Sequence, residues 1–304
     1  MAERDYPRDL VGYGAELPDP QWPGGARVAL QIALNYEAGG ELNLLHGDTG
    51  SEGMLTDTGF PAVAEVRSML TESAFEYGSR RGVWRLLRLF EARDIKVSVL
   101  AVVSALLRHP EAARVMVDAG HEIVSHGWRW IDYQSVPDHV EREHIDKAIA
   151  GLTTLTGTRP VGWMTGRPGP NTRRLLVEAG GFLYDRDSLA DELPYWLTVA
   201  GQPHLVVPYS YETNDNRFNE HLGWATAGQF FDYMKDAFDL LYAEGADEPK
   251  MLSLGLHDRI IGRPGRAAGL ARFLDYVQDH DRVWICTGAD IARHWRRVHP
   301  YPGP

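Results

Sequence analysis

The sequence predicts an α/β fold in which short parallel strands curl into a distorted TIM-like (β/α) barrel, and three observations carry that expectation. Short apolar segments with strand character recur along the chain, amphipathic helical stretches lie between many of them, and no glycine-rich phosphate turn follows the first strand. The alternation means a parallel sheet whose strands are covered on both faces, which is why they read as apolar runs rather than as every-other-residue patterns. The third observation disfavours an open dinucleotide-binding sheet, because Asn35, Tyr36 and Glu37 stand where a G-x-G-x-x-G turn would begin. Roughly seven or eight such units in one chain suit closure into a barrel better than an open sheet.

In chain order, strands are expected at 27–34, 95–102, 121–125, 161–164, 182–184, 204–207, 251–256 and 283–285. The first helical pattern spans 79–93, where Val83, Leu86, Leu87 and Phe90 fall on one face. Further patterns cover 137–156, 171–179, 227–243, 264–279 and 289–297. Gly120, Gly157 and the pair Gly180-Gly181 each follow a helical stretch at the place where a left-handed residue ends a helix. Pro/Gly-rich pieces occur only near the ends, at 19–25 and 300–304, so the expectation is one domain over 1–304, with an N-terminal arm at 1–26 and a short tail at 298–304.

Composition narrows the function. Lys and Arg number 31 against 42 Asp and Glu, a net charge of −11, which argues against nucleic acid as a partner. Cys286 is the single cysteine, so no intrachain disulfide can form, and the start MAERDYPRDL lacks the basic-then-apolar layout of a secretory signal. No apolar run approaches the roughly 20 residues that span a bilayer. A soluble, cytoplasmic protein with no membrane partner is expected.

In a β/α barrel the reactive side chains stand at the C-terminal ends of the strands. Here Asn35 and Glu37 follow the first strand, His126 the third, Arg167 the fourth, Asp185 and Asp187 the fifth, and His257 the late strand SLGL. Any one of them could be an ordinary polar loop residue. Their recurrence at one rim points to a site.

The segment GHEIVSHGWRW (120–130) resembles the second motif of the polysaccharide deacetylases, TGRPGP (165–170) their Arg-Pro motif, and LGLHDR (254–259) their last motif. The resemblance implies the NodB-homology barrel, with His121 structural, His126 at the first metal-ligand position and His257 assisting proton transfer. Two departures matter. An amide, Asn35, replaces the acidic base of the metal-dependent members, and Trp130 replaces their second histidine ligand. A zinc site normally draws three protein ligands, whereas these motifs offer only Glu37 and His126. No cofactor is therefore expected. If zinc is weakly held, Glu37 and His126 are its ligands, and a set drawing on Asp132, His257 or Asp185 stays open.

The segments NYEAGGE (35–41), YGSRRGVWR (77–85), SHGWRWIDY (125–133), TGRPGPNTRR (165–174) and DIARHW (290–295) resemble the cofactor-independent allantoinase branch, to which cyclic imide hydrolases are closely related. That resemblance implies a homo-oligomeric hydrolase opening the ring C–N bond of a small cyclic ureide or imide, with allantoin to allantoate as the leading reaction. The alternatives are succinimide- or hydantoin-like substrates, and metal-dependent N-deacetylation of a polysaccharide. Chemistry favours the ring substrates: their nitrogen is conjugated to a second carbonyl and leaves more easily than an aliphatic amine, so metal assistance becomes dispensable.

What remains necessary is a base for water, a donor for the oxyanion and an acid for the leaving nitrogen. The catalytic expectation is Glu37 or His126 as base and His257 as acid, with the roles exchangeable. Substrate binding is assigned to Arg167 at a carbonyl or oxyanion, to Asn35, and to Trp130 and Trp163 as walls for a flat ring. The bland alternatives are a Glu37–Arg167 ion pair and core tryptophans. The polar stretch 211–218 reads as a lid or a solvated loop, Cys286 as core, and His139, His144, His294 and His299 as solvated faces of helices or tail.

Overall fold

The structure, a computed structural model, describes residues 8–57, 64–221 and 223–303, so part of the expected arm (1–7) and the last tail residue lie outside the described residues. Its strands are β1 (Val28–Tyr36), β2 (Ser98–Ala101), β3 (Glu122–Ser125), β4 (Gly162–Trp163), β5 (Tyr184–Asp185), β6 (Tyr195–Val199), β7 (Gln202–Val206), β8 (Lys250–His257) and β9 (Val283–Cys286). Its helices are α1 (Met69–Tyr77), α2 (Val83–Glu91), α3 (Val103–Leu106), α4 (Pro110–Asp118), α5 (Asp138–Thr156), α6 (Thr172–Ala179), α7 (Ala227–Glu244), α8 (Pro264–Gln278) and α9 (Gly288–Val298).

One sheet runs in the order β6-β7-β5-β4-β3-β2-β1-β8, with β9 also on β1. Every residue of β1 is buried, as befits a central strand covered on both faces. Along one edge it pairs with β8 from Val28 to Asn35, and its other edge is shared by β9 at Val28–Gln31 and β2 at Ala33–Tyr36. Its carboxyl end therefore sits between β2 and β8, which brings Glu37 toward the ends of both. The curl is the expected distorted (β/α) barrel, and the distortion has a location. Between the β7 side and β8 the described residues show only an isolated bridge, Asn214 to Gly255.

Two features depart from the expected alternation. β6 and β7 form an antiparallel hairpin, turning through Ala200 and Gly201, both at positive φ (49° and 75°), as a two-residue type I′ turn requires. The helix expected at 79–93 is α2 preceded by a π-helical turn at Gly78–Gly82, through which it is continuous with the unexpected α1. A Cβ on Gly78 would lie 2.3 Å from Asp258 Oδ1 and one on Gly82 2.0 Å from Asp258 O. The turn is glycine-bounded because it passes directly against the chain leaving β8.

Val83, Leu86, Leu87, Phe90 and Cys286 are core residues, as the pattern implies. His294 is a correction: it is buried, shares a hydrogen bond with Pro20 O (2.8 Å), and packs on Trp22. The arm is thus tied down where Trp22 meets α9, a long-range contact that helical periodicity does not reveal. Among the described residues no helix is long and apolar enough to cross a membrane.

Candidate active site

Glu37 just past β1, His126 just past β3, Arg167 in the loop after β4 and His257 at the end of β8 meet at one cavity of about 380 Å³, together with Asn35 and Trp130. Four separate strands deliver these side chains to one rim, as parallel β/α connectivity dictates. His126 Nε2 lies 3.2 Å from Glu37 Oε1, and His257 Nε2 lies 3.8 Å from that same oxygen. The other oxygen, Oε2, accepts from Arg259 Nη1 at 2.5 Å. Arg259 is itself fixed by donating to Leu55 O (3.0 Å) and by lying over Phe75. Burial alone would raise the Glu37 carboxyl, but Arg259 and the two histidines outweigh it and hold the group well below the ordinary carboxylate range. Glu37 is a fixed anion.

Each histidine is oriented through its other nitrogen. His126 Nδ1 donates to Met164 O (2.9 Å), because a carbonyl can only accept. His257 Nδ1 donates to Asp215 Oδ1 (2.6 Å), while Asp215 Oδ2 accepts the backbone N–H groups of His257 (2.7 Å) and Ile261 (3.1 Å). The His257 tautomer is thereby set, with Nε2 turned to the cavity. Asp215 begins a short helical turn, Asp215–Phe218, in the stretch expected to be a lid or a solvated loop. Neither description holds for its centre, since Thr213, Asn214 and Asp215 are buried. The polar side chains there are polar because they bond inward.

Arg167 stacks on Trp130 with its guanidinium carbon 3.9 Å from the ring centroid, and its Nη1 faces Glu52 Oε2 at 3.5 Å. The considered Glu37–Arg167 pair is absent among the described contacts, Glu37 being taken by Arg259 and Arg167 by Glu52. Trp130 serves as a cavity wall. Trp163 does not line the cavity: it is buried against Phe182 and donates from its indole to Thr165 Oγ1. Asn35 borders the cavity, but its Nδ2 is committed to Tyr209 OH (3.1 Å) and Leu256 O (2.9 Å). His121 is structural, accepting the Val97 N–H at Nδ1.

The donor set does not fit a catalytic metal. The indole of Trp130 cannot ligate, Asn35 Nδ2 is turned to protein partners, and one oxygen of Glu37 is already paired with the Arg259 guanidinium. Of the alternative ligands, Asp132 stands at the exposed rim, and Asp185 is held by Arg173 and His204 away from Glu37. Among the described residues no group of three or more His, Cys, Asp or Glu side chains could hold a metal ion.

Four residues of this site escaped the sequence reading: Asp215, Arg259, Glu52 and Asn216. Arg259 carried a signal, lying two positions after His257 in the same motif. Asp215 and Asn216 were hidden in a stretch with no period, and Glu52 lies in a loop segment without any motif.

Comparison with known proteins agrees with this fold. The polysaccharide deacetylase family profile matches residues 68–179. A Schizosaccharomyces pombe protein assigned to the polysaccharide deacetylases is 38% identical over 97% of this chain and 98% of its own. The crystal structure of PuuE allantoinase superposes with a TM-score of 0.96 at 57% identity, covering 98% of this chain and 99% of that one. A Pseudomonas aeruginosa PAO1 protein named for the deacetylase family superposes with a TM-score of 0.95, also at 57% identity, covering 97% and 100%. With the barrel, the motif residues and these full-length matches in agreement, the chain belongs to the polysaccharide deacetylase family, on the branch that it shares with PuuE allantoinase.

Proposed function

We propose that this protein is an amidohydrolase that opens the ring C–N bond of a small cyclic ureide, converting allantoin to allantoate, and that it does so without a metal. The observation that carries the reading is the Arg259–Glu37 ion pair, set in a site where Trp130 replaces a ligand, within a chain 57% identical to an allantoinase. Arg259 already neutralises the Glu37 carboxylate, and with Trp130 in place of a ligand the chemistry that remains is that of an activated leaving nitrogen.

In the mechanism, His257 Nε2 takes a proton from water, and Asp215 keeps the ring in the tautomer that allows it. Water oxygen bonds to the ring carbonyl carbon as the carbonyl electron pair moves onto oxygen, where Arg167 donates to the growing charge. Glu37, held ionised by Arg259, is a poor base but a fixed negative charge 3.8 Å from the His257 imidazolium as it forms. Collapse of the adduct breaks the C–N bond, and His257 returns its proton to the departing nitrogen. The ring sits in the cavity that Trp130 and the Arg167 guanidinium over it help to wall. Succinimide- and hydantoin-like rings share the reacting amide and are the nearest alternative substrates. A cytoplasmic setting and a homo-oligomeric state go with this reading.

The test is incubation of purified protein with allantoin, hydantoin, succinimide and an N-acetylated oligosaccharide, with and without chelator. Ring opening of allantoin that survives chelation is expected. Efficient deacetylation of the oligosaccharide with the rings untouched would overturn the assignment.

A further inference from the structure

Asn216 borders the catalytic cavity one residue after Asp215, the partner of His257, yet the mechanism above leaves it without a task. It is only 9% exposed, and its side-chain Oδ1 has no hydrogen-bond partner among the described residues. The local fold does not need this amide. The turn is capped by the side chain of Asn214, whose Oδ1 accepts the Asn216 backbone N–H at 2.9 Å and whose Nδ2 donates to Tyr209 OH at 3.0 Å. A buried acceptor left open is costly unless something pairs with it. Arg167 Nη2, on the same cavity, is likewise buried and without a partner among the described residues. One open acceptor and one open donor on a small cavity match the edge of a cyclic ureide, where ring N–H and ring C=O alternate.

We propose that Asn216 is a specificity-determining residue, its side-chain oxygen accepting a ring N–H of the substrate while Arg167 donates to a ring carbonyl. The proposal rests on the cyclic-ureide reading and adds to it the group that is recognised. Because Asp215 and Asn216 are consecutive on one turn, that turn both orients the proton carrier and sets the ring against it. A ring lacking the N–H leaves the Asn216 oxygen unpaired and is rejected.

The experiment measures hydantoin, 1-methylhydantoin and 3-methylhydantoin as competitive inhibitors of allantoin opening, in the wild type and in Asn216→Leu, which keeps the side-chain bulk and removes the acceptor. In the wild type one methylated ring should inhibit about 10-fold more weakly than hydantoin. In Asn216→Leu that difference should vanish, and KM for allantoin should rise about 10-fold with a smaller change in kcat. Equal inhibition of the wild type by all three rings would overturn the proposal, and this arm needs no variant to fold. Undiminished discrimination in a folded Asn216→Leu would also overturn it, because the rejection would then be steric. Failure of the cyclic-ureide reading has its own signature, a wild type that leaves allantoin untouched, and the proposal then falls with it.

Discussion

Asp215 grips His257 at both the ring and the backbone, so the ring that carries the proton cannot rotate without breaking its bond to a carboxylate that the backbone bond holds in place. Asp215→Asn keeps the shape but removes the charge and the obligatory acceptor. By analogy with other carboxylate-oriented histidines, kcat should fall on the order of 100-fold or more with KM little changed. Steady-state kinetics on allantoin would show it, and an unaltered kcat would remove Asp215 from the mechanism. Arg167 depends on geometry as well as charge, since its planar guanidinium lies over the Trp130 ring while Glu52 faces one nitrogen. Lysine offers a point charge and cannot reproduce either contact. Arg167→Lys should therefore lower kcat on the order of 100-fold, and a variant that only raised KM would contradict oxyanion stabilisation.

At the scale of elements, the loop after β4 brings Arg167 to the cavity by a tight turn at Gly166, which has φ 78°. A Cβ there would stand 2.8 Å from His126 Cε1. Gly166→Ala should cost about 1 kcal/mol in backbone strain and, by pushing His126 off Glu37, should reduce activity by more than that strain alone explains. Thermal denaturation and kcat measured together separate the two effects. The entry to β3 makes a pH prediction. Burial, reinforced by Lys96, lowers the His121 imidazole to about 4 in the fold, from an ordinary 6.5. The folded state thus refuses a proton that the unfolded chain accepts, so stability falls as pH drops from about 6.5 toward 4. Replacement by Gln should flatten that dependence by about 1 kcal/mol, allowing for partial solvent screening. Melting temperatures at pH 7.5 and pH 5 would test it, and parallel curves for wild type and variant would contradict it.

For the whole molecule, one sheet passes through β1, which pairs with β2, β8 and β9 and so joins early, middle and late parts of the chain. Limited proteolysis should accordingly give a single resistant body with trimmed ends, and two stable halves would contradict a one-domain reading. Much of this was legible beforehand. Strand hydrophobicity and helical period are local properties, so the sequence by itself determined the order of the parallel strands, six of the helices (α2 and α5 to α9) and the motif residues at the strands' carboxyl ends. It also carried the substitutions at Asn35 and Trp130 that set the chain apart from metal-dependent relatives. The tertiary structure alone decided the partners. Arg259 rather than Arg167 neutralises Glu37, Glu52 faces Arg167, Trp163 turns into the core, and Asp215 reaches His257 across 42 residues of chain. The physical reason is that a buried charge must find its counter-charge through space. Chain positions far apart in sequence are adjacent only once the barrel has curled, and no local pattern encodes which of several arginines or carboxylates arrives.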